Sequence, residues 1–336
     1  MHDTTLLATL VPHLRDIVHE AIHHAPPTPA LVLSDAASPL SRLLAAGYRA
    51  ALPEARHLLL DQPPAVYPLI EALPPGALVV LIESTRFDFG EVRFRLDLFR
   101  RGLAVIEHPH LARISAAEIP IYVDALAYDP AYFRGLGDRL KGYIDGAAII
   151  EIQTEPGTLR YQGPFEPARR NVGDYAGLAT VGGQFPIGEV FTEPVDLDGV
   201  DGIVTLAAFA DQDYSVTFPD APFPLTIAAG KVTGAPGAPA AFAAILEDIA
   251  RREGEVRIRE LGFGINRALS FTHRVTDAGT FERMCGVHLS LGSKHAVYPK
   301  RGYNRKRTHV HLDVYCATEQ VVVDGVKVFA GGAWVG

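Results

Sequence analysis

Cysteine is almost absent from this 336-residue chain. Its two thiols, Cys285 and Cys316, are too few and too far apart for a disulfide framework or a cysteine-type zinc site. That usage fits a reducing, cytoplasmic compartment. No uncharged apolar run reaches the roughly 18 residues that a membrane span requires, and the N-terminus lacks a charged segment followed by an apolar one. Membrane spanning and secretion are therefore not expected. Neither GxGxxG nor GxxxxGK(S/T) follows any apolar run, so dinucleotide and P-loop nucleotide folds lack support. Basic residues are also short: 31 Lys and Arg face 39 Asp and Glu, interspersed, for a net charge of −8. Without a basic footprint, nucleic acid is excluded as a partner, and a small molecule or peptide is expected.

What is present is apolar content of 48%, enough for two sizeable cores, and two textures. Residues 4–24 place Leu6, Leu7, Leu10, Leu14, Ile17, Val18 and Ile22 at helical spacing, with His13, His19, His23 and His24 on the solvent side. Short apolar runs then alternate with helical patterns: ALVLSD, ARHLLLD, ALVVLIES and LAVIEHP predict parallel strands covered on both faces. His108 and His110 follow the last of these in a predicted solvated loop. From Gly146 the segments become short, β-rich and punctuated by Gly, Pro and Asp, with one helix through AAFAAILEDIARREG closed by a glycine. The expected fold is α/β: an open parallel α/β domain over residues 1–145, serving as scaffold or lid, then a β-rich α+β metal-binding domain over 146–336.

Histidine is distributed unevenly. None occurs between Leu111 and Thr272, yet His273, His288, His295, His309 and His311 lie close together afterwards. Within HVHLDV, strand alternation would put His309, His311 and Asp313 on one face, an arrangement that offers imidazole and carboxylate to one ion. His288 sits in the apolar segment CGVHLSLGS, where a buried imidazole needs either a metal or a backbone carbonyl. Glu260 ends a charged run and enters the apolar, glycine-rich LGFGIN, which is unusual for a surface carboxylate.

Taken in order, QFPIGEVFTEP, ELGFGIN, ERMCGVHLSLG, Asn304, HLD at 311–313 and the closing VVVDGVKVFAGGAW resemble the M29 metallopeptidases, the aminopeptidase T and aminopeptidase S type also called thermophilic metalloproteases. The resemblance is strongest over residues 145–336. It implies two divalent ions (Zn, Co, Mn or Mg) about 3–4 Å apart that share a water made nucleophilic between them. It assigns Glu189, Glu260, His288, His311 and Asp313 as ligands, with Glu189 also a candidate general base. It further implies a small peptide or amide substrate and a homodimer.

One position departs from the family pattern. Seven residues after the motif histidine the family carries a tyrosine at the metals, and this chain has His295, with Tyr298 three residues further on. His295 there could ligate a metal or carry a proton. Some proteins resembling the family are instead mononuclear iron(II) dioxygenases that open hydroxylated pyridine rings. A triad for one Fe(II) could be drawn from His288, His311 and Asp313, although the retained Glu189 and Glu260 suit a two-metal hydrolase better. A catalytically silent binding protein is the third expectation, motivated by the missing tyrosine. The basic run Lys300, Arg301, Arg305, Lys306 and Arg307 reads as a solvated loop, or through Arg301 and Arg305 as a clamp for a substrate carboxylate. Cys285 and Cys316 read as packing residues.

Overall fold

The four apolar runs of the first half lie side by side as parallel strands. In the computed structural model, which describes residues 2–60, 66–87, 94–295, 297, 298, 300 and 310–335, the sheet order is Arg56–Leu59, Ala30–Ser34, Leu78–Ile82, Ala104–His108, Gly182–Gln184. Every neighbouring pair is parallel. The central strand Leu78–Ile82 is buried at all five positions, as continuous apolar sequence requires when helices cover both faces. The chain divides into two compact units, Met1–Arg134 with Val172–Ile187, and Gly135–Asn171 with Gly188–Gly336.

In the first unit the N-terminal helix His2–Asp16 continues as a π-helical turn, Ile17–Ala21, and buries Leu10, Leu14, Ile17 and Val18. Helix Pro39–Ala51 begins with a reciprocal capping box between Ser38 and Ser41. Two sequence expectations fail here. His24 is buried, two residues past the cap of the π turn. His108 is not in a solvated loop: it ends a strand, is fully buried, and its ring nitrogens meet the hydroxyls of Tyr48 and Tyr122 at 2.8 and 3.1 Å.

The second unit is built on a large antiparallel sheet. Hairpin Ile149–Thr154 and Gly157–Gln162 leads to the long strand Val200–Ala210, and then in space come Leu312–Cys316, Gly286–Leu291, Ile258–Gly264, Glu189–Thr192 and Arg169–Asn171. Helix Ala240–Glu253 stops at Gly254, whose φ of 86° gives the left-handed cap that the glycine predicted. The fold is thus of the mixed α/β class, a parallel sheet with helices plus a large antiparallel sheet. Among the described residues no helix is long and apolar enough to cross a membrane.

Candidate metal centre

Four adjacent strands of the antiparallel sheet set the site by register alone. Glu189 pairs with Gly264, Gly262 with His288, His288 with Tyr315, and Ser290 with Asp313. Directly opposed residues share a face, so Glu189, His288, Ser290 and Asp313 all project from the same side. The two glycines let neighbouring groups close in on that side, the Met284 carbonyl at Gly264 and the His288 ring at Gly262. A Cβ at Gly262 would stand 2.1 Å from both Cε1 and Nε2 of His288, so the imidazole lies where any other residue's side chain would begin.

Glu260 joins through an irregularity. The register shifts between Ile258 and Leu261, leaving one extra residue on that strand. Arg259 and Glu260 fall at this bulge, Glu260 among the candidate ligands and Arg259 against Glu193. The Glu260 amide donates to Ser290 Oγ at 2.9 Å. Helix Ala278–Phe281, capped by the Asp277 side chain, ends at Glu282 and delivers that carboxylate to the same place.

The ligands fall into two adjacent groups, Glu189, Glu282 and His288, and Glu260, His311 and Asp313, each with donor atoms within 4.8 Å of one another. His288 connects them: its Nε2 is 3.2 Å from Glu189 Oε1 and 3.5 Å from Glu260 Oε1. Neither nitrogen of His288 makes an aligned hydrogen bond, and the same holds for His295 Nε2 and Asp313 Oδ1, all buried. Buried polar atoms seldom go without partners. Four such atoms among converging carboxylates and imidazoles fit a cation shared among them. His311 is oriented for this role: its Nδ1 donates to Lys294 O at 3.0 Å, leaving Nε2 facing Asp313 at 3.4 Å.

The electrostatics follow from crowding charge in a dry place. Burial, reinforced by Glu189 and Asp313, pushes the Glu282 carboxyl up to about 8 against the pull of Arg283. For Glu260 burial also acts upward, but the imidazoles of His288 and His295 outweigh it and hold the carboxyl below its ordinary range. Burial opposes a charged His311, yet Asp313 pushes it up to about 10. Without a metal the cluster retains protons as counter-charge.

A supporting layer surrounds it. His295 lies between Glu260 and Glu193, with Nε2 2.9 Å from Glu260 Oε2 and Nδ1 3.0 Å from Glu193 Oε2. Glu193 also accepts two bonds from Arg259, at 2.8 and 3.1 Å, and both residues are shielded from solvent. Arg259 donates further to Ser293 O and Tyr298 O.

The structure brings Glu189, Glu260, His288, His311 and Asp313 into one cluster and sets His295 against its edge. Within that cluster His288 groups with Glu189 and Glu282, and His311 and Asp313 group with Glu260. Tyr298 does not take the tyrosine's place: its hydroxyl donates to the carbonyls of Pro167 and Phe191. Lys300 is not part of a solvated loop, because it pairs with Glu166 at 2.6 Å and Glu193 at 3.3 Å. Asn304, His309, Arg301, Arg305, Lys306 and Arg307 lie outside the described residues. Cys285 and Cys316 behave as packing residues, with burial pushing the Cys285 thiol up to about 11.

Sequence reasoning missed Glu282, Arg283, Glu193 and Arg259. Glu282 is a helix cap without strand parity, so alternation could not place it. Arg259 belongs to a charged run that resembles surface sequence, and the only available signal was its alternation with apolar Val256 and Ile258.

The chain is thus a two-unit α/β protein with a candidate dinuclear centre on its antiparallel sheet. No family model matches it, and no curated protein does. Solved structures do share the fold. The 2,5-dihydroxypyridine dioxygenase of Pseudomonas putida KT2440 superposes with a TM-score of 0.67 at 14% identity, over 98% of this chain and 97% of that one. Wild-type AmpT from Thermus thermophilus superposes with a TM-score of 0.60 at 13% identity, over 98% and 99%.

Proposed function

We propose that the chain is a metal-dependent hydrolase of the M29 aminopeptidase type, removing an N-terminal residue from a small peptide or cleaving a related amide. The observation that carries this reading is the pair of adjacent three-residue groups, rich in carboxylate and joined through His288. Four carboxylates offset the charge of two dications, whereas a single iron would be served by fewer. The fold shared with AmpT, an M29 aminopeptidase, supports it.

When bound, the ions would supply an activated water and polarise the scissile carbonyl. The protein's own part is orientation and proton handling. Glu189 Oε1 faces the junction of the two groups, which supports a role for it as proton acceptor there. The Lys294 carbonyl fixes the His311 tautomer, and the Ser290 hydroxyl holds the Glu260 backbone. His295 acts as a positioning residue: wedged between Glu193 and Glu260, it keeps the latter from turning away. A homodimer and a cytoplasmic setting belong to the same reading.

Metal analysis of protein purified without added metal, paired with a dipeptide-cleavage assay with and without oxygen, tests the proposal. About two equivalents per chain and chelator-sensitive cleavage indifferent to oxygen are expected. One tightly held iron with no amide cleavage would overturn it. The second reading, an iron(II) dioxygenase acting on a hydroxylated pyridine, is favoured by the fold shared with the dihydroxypyridine dioxygenase and by His295 standing beside Glu260 and His311. It requires oxygen uptake with such a substrate. Exchange of Glu189 for Gln tests a catalytically silent role, which predicts unchanged function.

A further inference from the structure

Arg283 is a buried cation inside a group of candidate metal ligands, 4% exposed. Its Nη1 lies 2.6 Å from Glu189 Oε2 and 2.5 Å from Glu282 Oε1. Both carboxylates of the first group therefore already share one positive charge, and that charge cannot leave, because a guanidinium does not deprotonate in proteins. Each carboxylate keeps a second oxygen for a metal, so coordination remains possible there. It is electrostatically weakened.

The second group has no such partner among its described contacts. Glu260 meets imidazoles and donates its amide to a serine hydroxyl, and Asp313 faces His311; the charge of Arg283 reaches these two carboxylates as well, but less strongly than it reaches Glu189 and Glu282. Asp313 Oδ1 is buried without a hydrogen-bond partner. Counting formal charges with neutral imidazoles, the first group with Arg283 carries −1, and Glu260 with Asp313 carries −2. Around a dication in a poorly screened site, one unit of charge at this range changes affinity by about tenfold or more.

We propose that the two halves of the centre are unequal: Glu260, His311 and Asp313 hold the tight ion, and Arg283 keeps the half formed by Glu189, Glu282 and His288 weak and exchangeable. The proposal rests on the two-ion reading above and assigns Arg283 as the residue that grades it. A graded centre would retain one ion through purification and take up the other only when free metal is abundant.

Calorimetric titration of the full chain, stripped by chelator and refilled with Mn(II) alone, tests this, with bound metal counted by elemental analysis. The wild type should bind in two steps separated by about tenfold or more. Asp313→Asn should remove the tight step, and Glu282→Gln only the weak one. Arg283→Gln should tighten the weak step by about tenfold, and Arg283→Lys should keep the gap. Two equal steps in the wild type, loss of the tight step in Glu282→Gln, or an unmoved weak step in Arg283→Gln would each overturn the proposal while leaving the two-ion reading intact. A single ion in both wild type and Arg283→Gln would overturn the two together. Should Arg283→Gln fail to fold by circular dichroism, the Asp313 and Glu282 variants still decide which half is tight.

Discussion

Gly262 shows how much of the centre depends on what a residue omits. Its missing Cβ is the space in which the His288 imidazole lies, with ring atoms 2.1 Å from where that carbon would be. Gly262→Ala should displace the ring rather than the strand, because Gly262 is hydrogen-bonded into ladders on both sides. The expected outcome is a loss of stability of about 1–3 kcal/mol, with metal affinity falling by more than stability does. Denaturant unfolding and metal titration of the same variant check it, and unchanged affinity would mean that His288 is not a ligand. Glu260 and His288 could be singled out in the sequence as polar residues in apolar segments, whereas Glu189 entered only through the family resemblance. Their grouping was not legible, because the register that opposes Gly262 to His288 is a long-range pairing without a local signature.

Strand Ile258–Gly264 combines scaffold and site. Its bulge sends Arg259 to Glu193 and Glu260 to the ligand cluster, so the chain Arg259, Glu193, His295, Glu260 closes on adjacent residues. Breaking a buried pair by removing one partner is far costlier than never having made it. Arg259→Met should therefore destabilise the protein by about 3–5 kcal/mol, read as a lowered urea midpoint. A loss within about 0.5 kcal/mol, as for an ordinary surface change, would contradict the buried network. The strands of the parallel sheet could be read from continuous apolar runs, and helix Ala240–Glu253 from its periodicity and terminal glycine. Strand Gly182–Gln184 could not, since two glycines and a glutamine carry no strand pattern, and it joins the parallel sheet only through its neighbour Ala104–His108. Bulges are similarly silent, because one extra residue does not alter composition.

For the whole molecule, acid stability should depend on a residue remote in sequence from the candidate metal centre. Burial drives His108 from its ordinary 6.5 down to about 3, with two tyrosine hydroxyls as its partners. Between those values the unfolded chain binds a proton that the folded chain refuses, so stability falls as pH drops from 6.5 toward 3 and rises again on return. The slope from this group is at most about 1.4 kcal/mol per pH unit. His108→Gln, which does not titrate, should flatten the stability profile across that window whatever its stability at neutral pH. Parallel profiles for the two proteins would show that the histidine takes up its proton without unfolding.

The ligands come from four stretches, around Glu189, Glu260, Glu282 to His288, and His311 to Asp313, which meet only when four strands are paired. An unfolded chain has nothing comparable to offer an ion, so bound metal draws the population toward the folded form by mass action. On the proposed two-ion reading, metal supply would then govern survival as well as chemistry. A cell short of the ion would hold fewer copies of this protein, because proteases remove the open chain, and abundance would report metal status before any turnover is measured.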